Sequence, residues 1–222
     1  MSILGFRFGG PMPLEIAEFD NASGGNMIDN ITVLSVWAYI GGFLVLTARS
    51  AKQTGEPIWL FTKGRERQAI PAMLFRVAFL LGALLPLVTL WLEPQQASSL
   101  LDRHDAGTAI RILGVAMVLA GSLLALYAQH YMGKSWRIGA AEGHLGAIVD
   151  GGPFSFSRNP VFVGQTVLFA GLGLVFTSVL QLSVAIAVIV AVVLQVSIEE
   201  RVLTKELGPA YDAYRRRVRR WL

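Results

Sequence analysis

The chain has 222 residues, of which 54% are hydrophobic and only 15% charged, and its mean hydropathy is +0.54. Soluble domains carry about 25% charged residues, so the composition points to a bilayer as solvent. The absence of cysteine excludes disulfides, thiolate metal sites and a thiol nucleophile; the three histidines, His104, His130 and His144, argue against a metal cluster, and a net charge of +4 matters less than where the charges fall.

In chain order, residues 1–30 are rich in Gly, Pro and Asn, lack the layout of a cleaved signal peptide, and read as an irregular arm. Five apolar stretches follow, at 31–48, 72–92, 108–128, 160–176 and 179–198. Crossing the hydrocarbon core as a helix takes roughly 20 residues. The fourth stretch is short and is separated from the fifth only by Thr177-Ser178, which predicts a tight helical hairpin. Backbone polar groups in lipid must be satisfied within the segment, so these stretches read as helices. The expected fold is an all-α polytopic membrane protein with about five transmembrane helices, a C-terminal hairpin and a cytoplasmic amphipathic helix.

Lysine and arginine orient the chain. The loop after the first stretch holds Arg49, Lys52, Lys63, Arg65 and Arg67, and the loop after the third holds Lys134, Arg137 and Arg158. The tail holds Arg201, Lys205, Arg215, Arg216, Arg217, Arg219 and Arg220, whereas the intervening loops are poor in basic charge. Basic loops stay cytoplasmic. The expectation is therefore a bacterial inner-membrane protein with its N-terminus outside and its C-terminus in the cytoplasm.

Three polar segments then meet on the cytoplasmic side: GKSWRIG at 133–139, GGPFSFSRNPVFVG at 151–164, and SIEERVLTKELGPAYDAYRRRVRRWL from Ser197. Gly151, Gly152 and Pro153 carry turn chemistry. Asn159 precedes a proline and is biased away from helix, while Pro160 suits a first helical turn. Arg158 and Asn159 are thus presented at a helix N-terminus, where free backbone N–H groups favour an anionic group; an interfacial arginine at a helix start is the plainer reading. Glu199 and Glu200 sit at the inner end of an apolar helix, and ionisable groups at membrane depth face a cavity or a partner. Arg158, Arg201 or a cationic ligand would serve as that partner. Gln195 lies one turn before Glu199, and Gln165 one turn into the fourth stretch, so both arms of the hairpin carry a polar strip.

In order and spacing, GKSWRIG, GGPFSFSRNPVFVG and EERVLTKELGPAYDAY resemble the membrane-embedded isoprenylcysteine carboxyl methyltransferases and their phospholipid methyltransferase relatives. The resemblance covers residues 108–222 and divides the chain into an arm (1–30), two N-terminal helices with their loops (31–107) and a methyltransferase-like core (108–222). It implies an S-adenosylmethionine site formed by Gly152, Pro153, Phe154, Arg158, Asn159, Pro160, Glu199 and Glu200; Phe162 and Tyr211 are available to that site as aromatic faces, and Arg137, Arg158 and Glu200 are read in catalytic roles, with no metal. Where many members have His this chain has Asn159, and where many have Tyr it has Phe162. Asn hydrogen-bonds but is no base near neutral pH, which puts an acid–base role there in doubt.

The chemistry is consistent with methyl transfer. A sulfonium carries an activated methyl group; a glutamate suits the cofactor's ammonium, an arginine or helix N-terminus its carboxylate, and aromatic faces its adenine. The implied acceptor is lipid-like, reached from the membrane while the cofactor arrives from water. In the tail, Leu203, Leu207, Tyr211, Tyr214, Val218 and Trp221 recur at helical spacing with arginines between them, which reads as an amphipathic cap on anionic lipid rather than a nucleic-acid site. Two rival readings are a nicotinamide-dependent sterol-type reductase with a related hairpin, and a non-catalytic membrane protein with a decayed cofactor site.

Overall fold

The computed structural model describes residues 14–55, 69–91, 106–136 and 148–222, with side chains from 27 and from 72 onward in the first two helices. The helices are α1 (Leu14–Thr54), α2 (Ala69–Trp91), α3 (Thr108–Met132), α4 (Pro160–Val175), α5 (Val179–Leu207) and α6 (Pro209–Arg217). Short 3-10 turns stand at Gly133–Ser135 and Gly152–Ser155. Among the described residues, four helices are long and apolar enough to span a bilayer, and α4 is a shorter apolar helix. Their outward faces carry exposed Leu, Ile and Val such as Leu34, Leu123 and Ile186, as expected where lipid is the solvent.

One boundary differs from the sequence reading. The irregular arm expected through Asn30 is helical from Leu14, so α1 runs 41 residues. Pro13 is the last proline of that region and stands directly before the helix, and no proline interrupts the run behind it.

The centre of the bundle is the crossing of α3 and α4, made close by glycine. A Cβ on Gly121 would lie 2.4 Å from the Gly164 carbonyl oxygen, and one on Gly164 would lie 2.5 Å from the Gly121 oxygen. One step further along, Gly114 and Gly171 repeat the arrangement, with a Cβ on Gly171 2.6 Å from the Gly114 oxygen. Small residues let membrane helices approach backbone to backbone, where dispersion contacts and not water exclusion drive association. Phe169, Leu168, Leu172 and Val118 fill the space around the crossing and are fully buried.

Polar pegs tie α1 to this core. Gln129 Nε2 donates to the Phe43 carbonyl (3.0 Å) and to Thr47 Oγ1 (2.9 Å). The Trp136 indole N–H donates to the same Thr47 oxygen at 3.2 Å, and Ser50 Oγ donates to the Gly133 carbonyl at 3.0 Å. At the opposite end of the helices Arg111 pairs with Asp29 at 2.7 Å. Each peg satisfies a group that lipid would leave unsatisfied.

The hairpin forms as the sequence predicts. Ser178 caps α5 by accepting from the Gln181 N–H at 3.1 Å, and Phe176-Thr177-Ser178 is the whole connection. At 29 residues, α5 is longer than its apolar stretch. It rises about 43 Å at 1.5 Å per residue, so its Glu199–Leu207 end passes beyond a hydrocarbon core of about 30 Å. Nothing in that end breaks a helix until Gly208, whose φ of 50° and ψ of −127° end α5 and start α6. The amphipathic tail is therefore α6 alone, with Tyr211 and Tyr214 buried and Arg215, Arg216 and Arg217 exposed. A Cβ at Gly208 meets nothing within 4 Å, so only the backbone conformation opposes substitution. Gly208→Ala is expected to lower stability by about 1–3 kcal/mol, the cost of a conformation essentially reserved for glycine. A parental midpoint in thermal unfolding of the detergent-solubilised variant would refute this.

Candidate functional site

The site grows from the segment before α4. Gly152 adopts φ +55°, and a Cβ there would fall 2.6 Å from the Tyr131 ring, so the position demands glycine twice over. The turn that follows buries Pro153 and Phe154. Pro160 is the first residue of α4, and the Asn159 carbonyl accepts the first helical bond from Val163 N–H at 3.0 Å.

Arg158 and the C-terminal residues close around Glu200. Arg158 donates to Glu200 Oε1 from Nε (3.0 Å) and Nη2 (2.9 Å). Arg220 donates to Oε2 from Nε (3.0 Å) and Nη2 (2.7 Å). The remaining Arg158 nitrogen, Nη1, reaches the Val218 and Arg215 carbonyls at 2.7 and 3.2 Å. The backbone joins in: Arg158 N–H donates to the Arg219 carbonyl at 2.9 Å, and Asn159 Nδ2 to the Arg220 carbonyl at 3.1 Å. Glu200 is 5% exposed, so two guanidinium groups hold a carboxylate that burial alone would disfavour. This clasp fastens the tail to the start of α4.

Below it, Tyr211, Tyr214 and Val218 form a small core with Ile148, Leu203 and Leu207. Tyr214 donates to the Phe154 carbonyl at 2.8 Å. Burial pushes the Tyr211 phenol up to about 12, helped by the Glu200 carboxylate and opposed by Arg158. Burial likewise raises Tyr214. Both phenols therefore remain neutral hydrogen-bond donors at neutral pH.

On the other side of Arg158 lies a cavity of about 150 Å³ lined by Phe43, Phe75, Met132, Trp136, Phe154, Arg158, Asn159, Pro160, Val161, Phe162, Gln165, Gln195, Glu199 and Leu203. Glu199 accepts from Gln195 Nε2 at 2.8 Å. Gln165 donates to Tyr39 Oη at 2.9 Å. The side-chain oxygens of Gln165 and Gln195 are buried with no hydrogen-bond partner among the described residues. The Phe75 and Phe162 rings meet edge to face at 6.0 Å, and Phe43 and Trp136 do so at 5.7 Å. The cavity is thus aromatic on its walls, with one carboxylate and two glutamine side chains among its lining.

Of the residues singled out in the sequence, Phe154, Arg158, Asn159, Pro160, Phe162 and Glu199 line this cavity. Gly152 and Pro153 shape the turn that delivers Phe154. Glu200 and Tyr211 do not line it: Glu200 is in the clasp and Tyr211 in the small core behind it. Arg137 falls within 137–147, outside the described residues. Arg201 is exposed and donates to the Ser197 carbonyl, so the cationic partners are Arg158 and Arg220, and both bind Glu200. Sequence reasoning missed Arg220 in that role, and missed Phe43, Phe75 and Met132 as cavity walls. Nothing local marks these residues, since their contact with the site is made across the bundle.

Residues 109–210 match the family model for phospholipid methyltransferases. This segment, a little under half of the chain, is similar to that family, as the ordered motifs implied. No match was found among curated proteins or solved structures.

Proposed function

We propose that this chain, with its phospholipid methyltransferase segment at 109–210, is an integral membrane enzyme that takes a methyl group from S-adenosylmethionine and methylates a lipid-like acceptor at the cytoplasmic face. The observation that carries the reading is the separation of the two glutamates. Glu200 is neutralised by two arginines, while Glu199 lines an aromatic cavity with, among the described residues, only an amide donor on it. A site so built favours a compact cationic ligand with N–H donors. The methionyl ammonium has that chemistry and fits Glu199, with the Gln165 and Gln195 oxygens as further acceptors. Phe154 and Phe162 offer faces for an adenine ring or a positive sulfonium.

When bound, S-adenosylmethionine supplies an already activated methyl group. The chain's own contribution is then to orient and to exclude water. Arg158 lines the cavity while its fork is fixed by Glu200 and two carbonyls, so it acts as a rigid wall that also sets the position of Asn159. Arg137, next in sequence to the cavity residue Trp136, is assigned to hold an anionic part of the acceptor with its guanidinium fork. Arg137→Lys is expected to lower turnover while leaving S-adenosylhomocysteine affinity at the parental value; parental turnover would leave Arg137 only an anchoring role.

The sterol-type reductase reading is less well supported. A nicotinamide dinucleotide brings phosphates, and Arg158, the basic residue of the cavity lining, already has partners. Calorimetry of the purified protein with S-adenosylhomocysteine and with NADPH decides between them. Binding of the first and not the second is expected, together with transfer of labelled methyl from S-adenosylmethionine into a membrane lipid extract. NADPH binding would overturn the assignment. Binding of S-adenosylhomocysteine without any labelled product would make the protein a non-catalytic relative.

A further inference from the structure

α1 meets α3 at Gly42, where a Cβ would stand 3.2 Å from the Leu126 side chain. One turn further along α1, a pocket of about 140 Å³ lies between the two helices. Arg49, Ser50 and Gln53 line it from α1, and Gln129 and His130 line it from α3. With Leu46, the α1 residues fall at i, i+3, i+4 and i+7, which is one face of a helix. Arg49 directly follows the apolar stretch 31–48, and His130 stands two residues beyond 108–128. The pocket therefore sits where hydrocarbon gives way to headgroups. It shares no lining residue with the cavity of Glu199.

Two features of this pocket are left over once the fold is accounted for. Gln129 is 1% exposed, its Nε2 is engaged by the Phe43 carbonyl and Thr47, and its Oε1 has no partner among the described residues. A backbone carbonyl only accepts, so turning the amide over would lose the Phe43 bond. Oε1 is thus a buried acceptor that calls for a donor. The second feature is Arg49. Helix C-termini attract basic side chains, but Lys52 already stands in the last turn of α1 and His130 in that of α3. Arg49 lies a turn earlier and is exposed, as is His130, and neither side chain has a hydrogen bond or ion pair among the described residues.

We propose that this pocket binds an anionic glycerophospholipid whose headgroup carries a hydroxyl. The phosphate accepts from the Arg49 guanidinium and from an N–H of His130, and the headgroup hydroxyl donates to Gln129 Oε1. A bare anion would serve Arg49 and repel the amide oxygen. An ammonium headgroup would supply a donor but set its charge against Arg49. A hydroxyl donates without that charge. The depth of the pocket favours a phosphate already held at the membrane surface by its acyl chains over a free one. Ser50 and Gln129 both line the pocket and both carry pegs between α1 and the end of α3. An occupant therefore braces that seam, which Thr47 links onward to Trp136 in the wall of the Glu199 cavity. The proposal is independent of the methyltransferase reading, because the lipid it places is not the one that reacts.

The test uses the full chain, delipidated in detergent, with bound lipid counted by native mass spectrometry. Phosphatidylglycerol is the probe. Phosphatidylmethanol, of the same charge but without the hydroxyl, and glycerol 3-phosphate, without the chains, are the comparisons. Arg49→Gln/His130→Gln is expected to weaken phosphatidylglycerol binding about tenfold or more, the scale of a hydrogen bond to a charged group. Lys52→Gln, also exposed but outside the lining, should bind like the parent. Binding to the basic tail is a background that all these proteins share. Phosphatidylmethanol should bind the parent about fivefold more weakly than phosphatidylglycerol, as loss of one neutral hydrogen bond predicts. Phosphatidylglycerol should also raise the thermal unfolding midpoint of the parent more than that of the double variant. Both altered positions are exposed, so the lipid-free midpoints should agree; Arg49→Gln and His130→Gln made singly carry the test if the double variant does not fold. Parental phosphatidylglycerol binding in these variants, or an equal loss in Lys52→Gln, overturns the site. Equal binding of phosphatidylmethanol overturns the role of Gln129. Displacement of the lipid by an equal concentration of glycerol 3-phosphate overturns the lipid as occupant and makes this a site for a free phosphate.

Discussion

Glu199→Gln and Glu200→Gln are expected to fail in different ways, although the two carboxylates are neighbours in sequence. Glu199 faces the cavity and is bonded by Gln195, so its amide replacement keeps the fold. S-adenosylhomocysteine affinity should fall by about 1.5–3 kcal/mol, the scale of a hydrogen bond to a charged group, which is roughly 10- to 150-fold. Glu200 holds Arg158 and Arg220 together from a buried position. Removing its charge leaves the Arg158 guanidinium, whose side chain is 9% exposed, without a counter-ion. Breaking a buried pair costs about 3–5 kcal/mol. The lower end applies here, because the Arg220 side chain is 44% exposed and water recovers part of its loss. The Glu200 variant should therefore unfold at lower temperature and expose the Arg215–Arg220 region to limited trypsin digestion. Unfolding midpoint, trypsin sensitivity and ligand affinity, measured on both variants, check the division. A Glu200→Gln protein as stable as the parent, or a Glu199→Gln protein with parental affinity, would show that the two roles have been misassigned.

Gly164→Ala is expected to disrupt the fold severely, as is the reciprocal Gly121→Ala. The new carbon would stand 2.5 Å from the Gly121 oxygen and 2.7 Å from the Ala125 nitrogen. Both are helix backbone, so no side chain can swing away and α3 and α4 must separate. Overpacking a core costs about 1–3 kcal/mol where side chains can adjust; here the upper end is the minimum. The movement would also displace the start of α4, and with it Asn159, Pro160 and Phe162 in the cavity wall. Gly164→Leu should yield no folded protein. Gly41→Ala in α1 is the matched control: a Cβ there meets nothing within 4 Å, and the better helix former should leave stability unchanged or raise it by up to about 1 kcal/mol. Thermal unfolding of the two alanine variants measures the contrast, and equal midpoints would refute the crossing as the centre of stability.

The apolar stretches were legible because a bilayer imposes length and composition on whatever crosses it. The start of α4 at Pro160 and the Thr177-Ser178 turn were legible because proline and a capping serine act locally. The end of α5 was less so. Its last turns are charged, and charge, which ends an apolar stretch, does not end a helix, so α5 runs on as far as Gly208. The two glutamates could not be told apart by composition. They differ by one step around the helix, which turns Glu199 toward Gln195 and the cavity and Glu200 toward Arg158. The i, i+4 spacing from Gln195 to Glu199 held half of that answer; the other half needed Arg220, twenty residues on and returned to Glu200 by a turn in the tail. The glycines at 114, 121, 164 and 171 recur seven apart on two helices, a pattern present in the sequence whose meaning appears only once α3 and α4 are seen to run antiparallel.

The pegs between α1 and the rest bear on how such proteins can be recombined. Thr47 receives the amide of Gln129 and the indole of Trp136, and Tyr39 receives the amide of Gln165. All three donors belong to the family segment, and both receivers lie outside it. Cut free at residue 108, that segment would expose three hydrogen-bond donors to hydrocarbon, each unsatisfied group costing several kcal/mol. It is therefore not a cassette. A chimaera that couples it to a different pair of leading helices will assemble only if the substitute offers a hydroxyl at the depth of Thr47 and another at the depth of Tyr39, whatever else about those helices is changed.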